Sequence, residues 1–317
     1  KKLVQLNVDF TTVVAGNKSA STEIESIFTD TDKPFVITEN VMPEFNKLNI
    51  EPAKKRITEL FISQIIEAKG LSRIQKLAKE DIMPTPLAVL NGCELLSKGT
   101  KQSGGLGELL AVDLAGATTA LYSIAEGKPT IENASVKGLP EPVNKRTVEG
   151  DLGMRYSITS LADELDIDAF CGENGLERES VENWVSSVSQ NPSLLAKDNS
   201  AEQDIEVAIA RSAVQMAVER QVGVYESGFT PFGQIFALTG KDLTEIPYVI
   251  GIGGAIVKAV SPENILAGAK MRASDLYFAK PKEPKYLIDK KYIFASMGLL
   301  SQKYPELALK IMKREIV

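Results

Sequence analysis

The chain has 317 residues, with 44% hydrophobic and 25% charged side chains, the balance of a soluble globular protein large enough for about two domains. Acidic residues outnumber basic ones, 42 to 36, for a net charge of −6, which disfavours binding to nucleic acid. No apolar run approaches the roughly 18 residues that a membrane span needs, and the chain carries no histidine, so a Ser-His-Asp triad and His-ligated metal are excluded.

The first elements alternate. "TTVVAG" is a β-branched run that ends in a turn at Gly16-Asn17, Ser19 to Phe28 reads as a helix, and "PFVIT" reads as a second short strand. Glu51 to Lys69 is the clearest helix. Pro52 suits its first turn, Ile57, Leu60, Phe61, Ile65 and Ala68 fall on one face, and Gly70 stands at the C-cap position. This alternation argues for α/β layers. Pro84 and Pro86 begin the helix of "MPTPLAVLNGCELL". The Gly-rich "SKGTKQSGGLGE" reads as a linker. Residues 1–103 form a first lobe on this reading, 104–285 a second, and 286–317 C-terminal helices that return toward the first. Cys93 and Cys171 lack partners at metal spacing, which fits a reducing cytoplasm.

"LLAVDLAGATTALYS" raises the first question of chemistry. Asp113 stands at a strand end, and Ala115, Gly116, Ala117, Thr118 and Thr119 form the turn after it. Small turns expose consecutive N–H groups that bind anions. Threonine hydroxyls add donors, and a carboxylate here can hold Mg²⁺ through water. An ordinary hairpin accounts for the same residues slightly better.

"KRTVEGDLGMR" follows in a long polar loop. Lys145, Arg146 and Arg155 surround Glu149 and Asp151 between glycines. Such mixtures suit phosphate handling, and they suit a solvated loop by default. Ile158 to Asp168 reads as helical, Gly172 to Asn199 as polar helix with the single tryptophan, Trp184, and Glu202 to Val222 as a strong helix. "IPYVIGIGGAIVKAV" then runs a strand through Gly251, Gly253 and Gly254 into a helix, a turn where a phosphate or nucleotide can approach the backbone. It is not GxGxxG, and tight packing explains it equally well alone. Tyr292 to Ile316 reads as one or two helices.

"MPTPLAVL", "VDLAGATTALYS", "KGLPEPVNKRTVEGDLGMRYS", "GKDLTEIPYVIGIGGAIV" and "YIFASMGLL" resemble, in this order, the MutL-type accessory proteins of glutamate mutase. "VVAGN" and "ITENVMPEFNKLNIEPA" extend the likeness to the N-terminus, so it covers nearly the whole chain. The resemblance implies an actin-like ATPase, a two-lobed ribonuclease H-like fold. Its second phosphate loop is a hairpin and its adenosine motif a Gly-rich strand–helix turn. ATP with Mg²⁺ is then the cofactor, and hydrolysis drives damaged cobalamin out of an adenosylcobalamin-dependent mutase, with no cobalamin held by this chain. Asp113 becomes the residue for Mg²⁺ or attacking water. Ala115 to Thr119 become the phosphate turn, and Gly251, Gly253 and Gly254 face adenosine. Lys145, Arg146 and Glu149 lie near nucleotide or partner.

The likeness has departures. Ala115 and Ala120 stand where the family turn has a glycine and an acid, and Tyr122 and Gln221 stand where it has histidines. Ile252 replaces a threonine. A first phosphate loop is missing before Gly16, which reads as a chain trimmed inside the first lobe. A nucleotide-incompetent docking module or a small-molecule kinase of the same fold remain alternatives.

Overall fold

Local sequence signals and chain topology meet first at the N-terminus. The computed structural model describes residues 2–45, 47–68, 83–231 and 233–316, in two compact units divided between Pro84 and Thr85. In the first unit β1 (Thr12–Val14) and β2 (Phe35–Ile37) pair in parallel, Thr12 opposite Phe35. Helix α1 (Ser21–Thr29) connects them, and Phe28 stacks on Phe35 with ring centroids 5.2 Å apart. Asn17 caps the entry to this crossover by accepting from Ser19 N at 3.1 Å. Helix α2 (Glu51–Ala68) begins at the predicted place. Of its predicted apolar stripe, Ile57 and Phe61 are half exposed, and the side chains of Ile65 and Ala68 lie outside the described residues. Lys69 and Gly70, the predicted helix end, lie outside the described residues.

The second unit opens with α3 (Thr85–Lys98), which buries Ala88, Val89, Leu90, Cys93 and Leu96. The expected linker after it is a tight turn inside this unit. Gly99 takes φ +74, Leu106 N donates to Leu96 O at 2.8 Å, and a β-carbon on Gly105 would stand 2.0 Å from Ser97 O. The glycines serve close approach rather than flexibility. The division therefore falls before the helix that the sequence placed in the first lobe, not at residue 103.

A five-stranded sheet follows. Its strands are β3 (Leu109–Leu114), β4 (Thr119–Ile124), β6 (Asn144–Glu149), β9 (Tyr248–Ile252) and β10 (Lys285–Ile288), ordered β10-β9-β3-β4-β6. β4 runs antiparallel to β3 and β6, whereas β3, β9 and β10 are parallel. "NKRTVE" is thus a strand, where the sequence suggested loop. Its charged residues occupy a partly solvated edge strand, which masks the alternation. A second sheet, β5-β8-β7, is built from β5 (Ala134–Lys137), β7 (Val224–Thr230) and β8 (Gly233–Thr239).

Each face of the large sheet has its own core. Leu110, Val112, Leu114 and Leu121 lie in one, with Ala210, Val214 and Val218 of α7. Leu109, Ala111, Ala120, Tyr122 and Ile124 lie in the other, with residues of α3 and the C-terminal helices. The period-2 alternation of β3 sends its even and odd residues to these two cores. The helices between the strands are α4 (Ile158–Asp163), α5 (Ile167–Asn174), α6 (Arg178–Gln190) and α7 (Ala201–Gln221). The single helix expected over 158–168 is broken, because Asp166 caps a new start by accepting from Ala169 N at 3.2 Å. Short helices α8 (Gly254–Val257) and α9 (Pro262–Leu266) follow β9. α10 (Phe294–Leu300) and α11 (Pro305–Glu315) end the chain and pack on α3 within this unit. No described helix is long and apolar enough to cross a membrane.

Candidate functional site

Parallel pairing of β3 with β9 sets the β3–β4 hairpin beside the glycine turn. Asp113 is in register with Ile252, so the strand's last acid lies next to the turn that follows. Gly253, at φ +87, fills the seam, since a β-carbon there would stand 2.4 Å from Leu114 O and 2.6 Å from Asp113 Oδ1. Only glycine allows both the conformation and the approach. Gly254 is open, since a β-carbon there would have nothing within 4 Å, and it starts α8. Gly251 has a packing role instead, because its β-carbon would meet Ile256 at 2.6 Å.

The hairpin tip is braced from below. Ala115 N donates to Thr118 O at 3.0 Å, which closes a two-residue turn. Met154 N donates to Ala115 O at 3.1 Å, and Arg155 N and Tyr156 N both donate to Gly116 O at 2.8 Å. Ser157 Oγ donates to Ala117 O at 2.8 Å. Gly153 permits this brace, since a β-carbon there would stand 2.3 Å from the Ala117 carbonyl carbon. The carbonyls are therefore occupied, while Gly116 N and Ala117 N have no backbone acceptor among the described residues. A rigid tip that presents free amides is suited to an anion. Thr118 is half-buried. Thr119 is not available to a ligand, because it is fully buried and its hydroxyl donates to Leu152 O.

Tip and turn together wall a cavity of about 520 Å³, with Ala115 and Gly116 on one side and Gly254 and Lys258 on another. Val207 and Ala210 of α7 give it an apolar side, and Tyr292 borders it. Arg155, also on the wall, is paired with Glu206. Tyr292 takes the left-handed φ of +54. Its turn is held by Asp289, which accepts from Ile293 N at 3.0 Å and Phe294 N at 2.9 Å.

Asp113 itself belongs to the other sheet face, with Cys93 of α3, Tyr122 and Tyr292 as neighbours. Burial pushes its carboxyl above the usual carboxylate range, against the pull of Arg146. Burial likewise raises Asp289 and takes the Tyr122 phenol to about 12. Arg146, opposite Tyr122 in the β4–β6 ladder, lies over its ring at 5.7 Å from the centroid. Among the described residues no group of three His, Cys, Asp or Glu side chains is placed to hold a metal.

The sequence candidates therefore separate. Ala115, Gly116 and Gly254 meet at the cavity, Ala117 at the exposed tip, Gly253 at the seam, and Asp113 and Arg146 on one face. Lys145 is elsewhere. It pairs with Ser123, far down β4 from the tip, and its ammonium donates to Glu141 at 3.1 Å and Gln221 O at 3.2 Å. Glu149 does reach the tip end, opposite Thr119, but Arg220 holds it at 2.8 Å together with Asp151 and Glu164. Glu206, Asp289 and Tyr292 were not singled out from sequence. Each lies far from the glycine motifs along the chain, and only the fold brings them near.

The family of MutL proteins matches residues 1–316. The chain is similar to Protein MutL of Clostridium tetanomorphum, with 40% identity over 322 aligned positions that take in 100% of this chain and 68% of that protein.

Proposed function

This chain belongs to the MutL protein family, and on that premise we propose that it binds ATP and couples its hydrolysis to the service of an adenosylcobalamin-dependent mutase of the glutamate mutase type. The service is expulsion of damaged cobalamin from the mutase, and this chain is assigned no cobalamin of its own. One observation carries the nucleotide reading: a hairpin with free tip amides and a strand–glycine–helix turn, far apart in sequence, border one cavity. The sheet order β10-β9-β3-β4-β6, with only β4 antiparallel to its neighbours, supports a ribonuclease H-like lobe of the actin-like ATPase kind.

In this reading the apolar side of the cavity takes the nucleoside. The phosphates pass over Gly116 and Gly253, where backbone amides meet them. Asp113 orients the water whose oxygen bonds to the terminal phosphorus as the bond to the bridging oxygen breaks, leaving ADP and phosphate. A lone carboxylate does not make a protein-held magnesium site. Mg²⁺ would come with the phosphates, with Asp113 as the residue of this chain that serves it, and it would supply charge neutralisation.

Calorimetry with Mg-ATP tests the reading. The chain should bind, and Asp113→Asn should bind while hydrolysing at least about a hundredfold more slowly. Absence of binding, or unchanged hydrolysis by Asp113→Asn, defeats it. A docking module without nucleotide chemistry is the second reading, favoured by Thr119 being engaged with Leu152 and by Ala120 beside Asp113 where the family has an acid. Capture of a cobalamin-dependent mutase, undiminished without nucleotide, would support that module instead.

A further inference from the structure

Arg155, Arg178, Arg220 and Arg272 each hold at least one carboxylate. Arg146 holds none among the described residues, although it is exposed and lies beside a sheet face that carries an acid. Its guanidinium rests over the ring of Tyr122, which is only 1% exposed and so cannot swing away. Strand alternation puts Arg146, Tyr122, Ala120 and Asp113 on one face. Between Arg146 and Asp113 stands Ala120, in register with Asp113, a buried small residue that places no charge or polar group between the two. The cavity lies toward the opposite side of the hairpin tip, under α7, where Arg155 is already neutralised by Glu206.

We infer that Arg146 is the residue that recognises the terminal phosphate of a bound nucleoside triphosphate, with Tyr122 as its platform. The inference rests on the nucleotide reading above. A nucleotide with its base in the cavity must run its phosphate chain across Gly116 and Gly253 toward Asp113. Its last phosphate then arrives on the face where Arg146 stands with no carboxylate partner among the described residues. A planar guanidinium binds phosphate oxygens through paired donors. A diphosphate ends one group short of this face and leaves Arg146 idle. Arg146 would thus make the site distinguish the triphosphate from the diphosphate, and it would offset the charge that gathers on the terminal phosphate during hydrolysis.

The test measures Mg-ADP and the non-hydrolysable imido analogue of Mg-ATP by calorimetry on the unaltered chain, Arg146→Ala and Arg146→Lys. Arg146→Ala should bind the triphosphate analogue about tenfold or more weakly, with ADP affinity unchanged within about twofold. Arg146→Lys should recover part of the loss. Equal losses for both nucleotides, or no loss for either, overturn the inference while the nucleotide reading stands. An unaltered chain that binds neither nucleotide overturns both.

Discussion

Gly253 and Asp113 interlock: a β-carbon on the glycine would stand 2.6 Å from the Asp113 carboxylate oxygen. Gly253 also takes φ +87. Gly253→Ala therefore incurs backbone strain and a clash with backbone as well as side chain, and should destabilise the protein by about 2–4 kcal/mol. Gly254→Ala, one residue on, meets open space and should change stability by less than about 0.5 kcal/mol. Urea unfolding of the two variants checks the contrast. If Gly253 were an ordinary turn residue, the two would behave alike.

A second close approach joins α3 to α10. A β-carbon on Gly298 would lie 1.7 Å from Ala88 O, and one on Gly92 would lie 3.0 Å from the Phe294 ring. Backbone cannot yield as a side-chain end can. Gly298→Ala should thus cost more than Gly92→Ala, about 3 kcal/mol or above against roughly 1. Thermal unfolding of both variants decides the order.

How much of this was legible in the sequence depends on where the determining contacts lie. Hairpin β3–β4 and the turn at Gly253 were readable because their signals are local: alternating apolar residues, then small residues at the turn. The role of Gly99 and Gly105 was misread, because glycine marks a close approach and a flexible linker alike, and Ser97 O is what separates them. β6 was missed because an edge strand rich in Lys, Arg and Glu imitates a loop. The site's remaining walls were hidden by distance: Glu206 sits on a helix 51 residues after Arg155. Lys145 was grouped with Arg146 by adjacency, yet neighbours on a strand face opposite ways.

Lys241 offers a test by pH. It is 1% exposed, and its ammonium donates to Val143 O at 2.8 Å and Pro142 O at 3.2 Å, with no carboxylate bound among the described residues. Burial, then the neighbouring Lys145 charge, lowers its pKa from 10.5 to about 8. The unfolded chain holds this proton more tightly, so stability gains with rising pH between about 8 and 10.5. The interval corresponds to at most about 3 kcal/mol. Urea unfolding at pH 7.5 and 9.5 should show a gain in the unaltered protein, relative to Lys241→Met, of about 1–2 kcal/mol. A parallel pH response of the two proteins would mean that Lys241 is ordinary in its titration.

Tyr292 separates stability from function at the cavity border. Its φ of +54 is costly for a tyrosine, and the turn persists because Asp289 ties down Ile293 N and Phe294 N. Tyr292→Gly removes the left-handed penalty, so the folded state should gain about 1 kcal/mol or lose nothing. The same change takes the phenol ring from the border of the cavity, and nucleotide affinity should fall about threefold to tenfold. Asp289→Asn keeps the size of the tie but weakens its acceptor, so it should loosen the turn and lower stability by about 1 kcal/mol. Thermal unfolding and calorimetry on the two variants are thus expected to disagree for Tyr292→Gly, which is firmer while binding less. Agreement between them, with both stability and affinity falling, would identify Tyr292 as a packing residue whose strain is incidental.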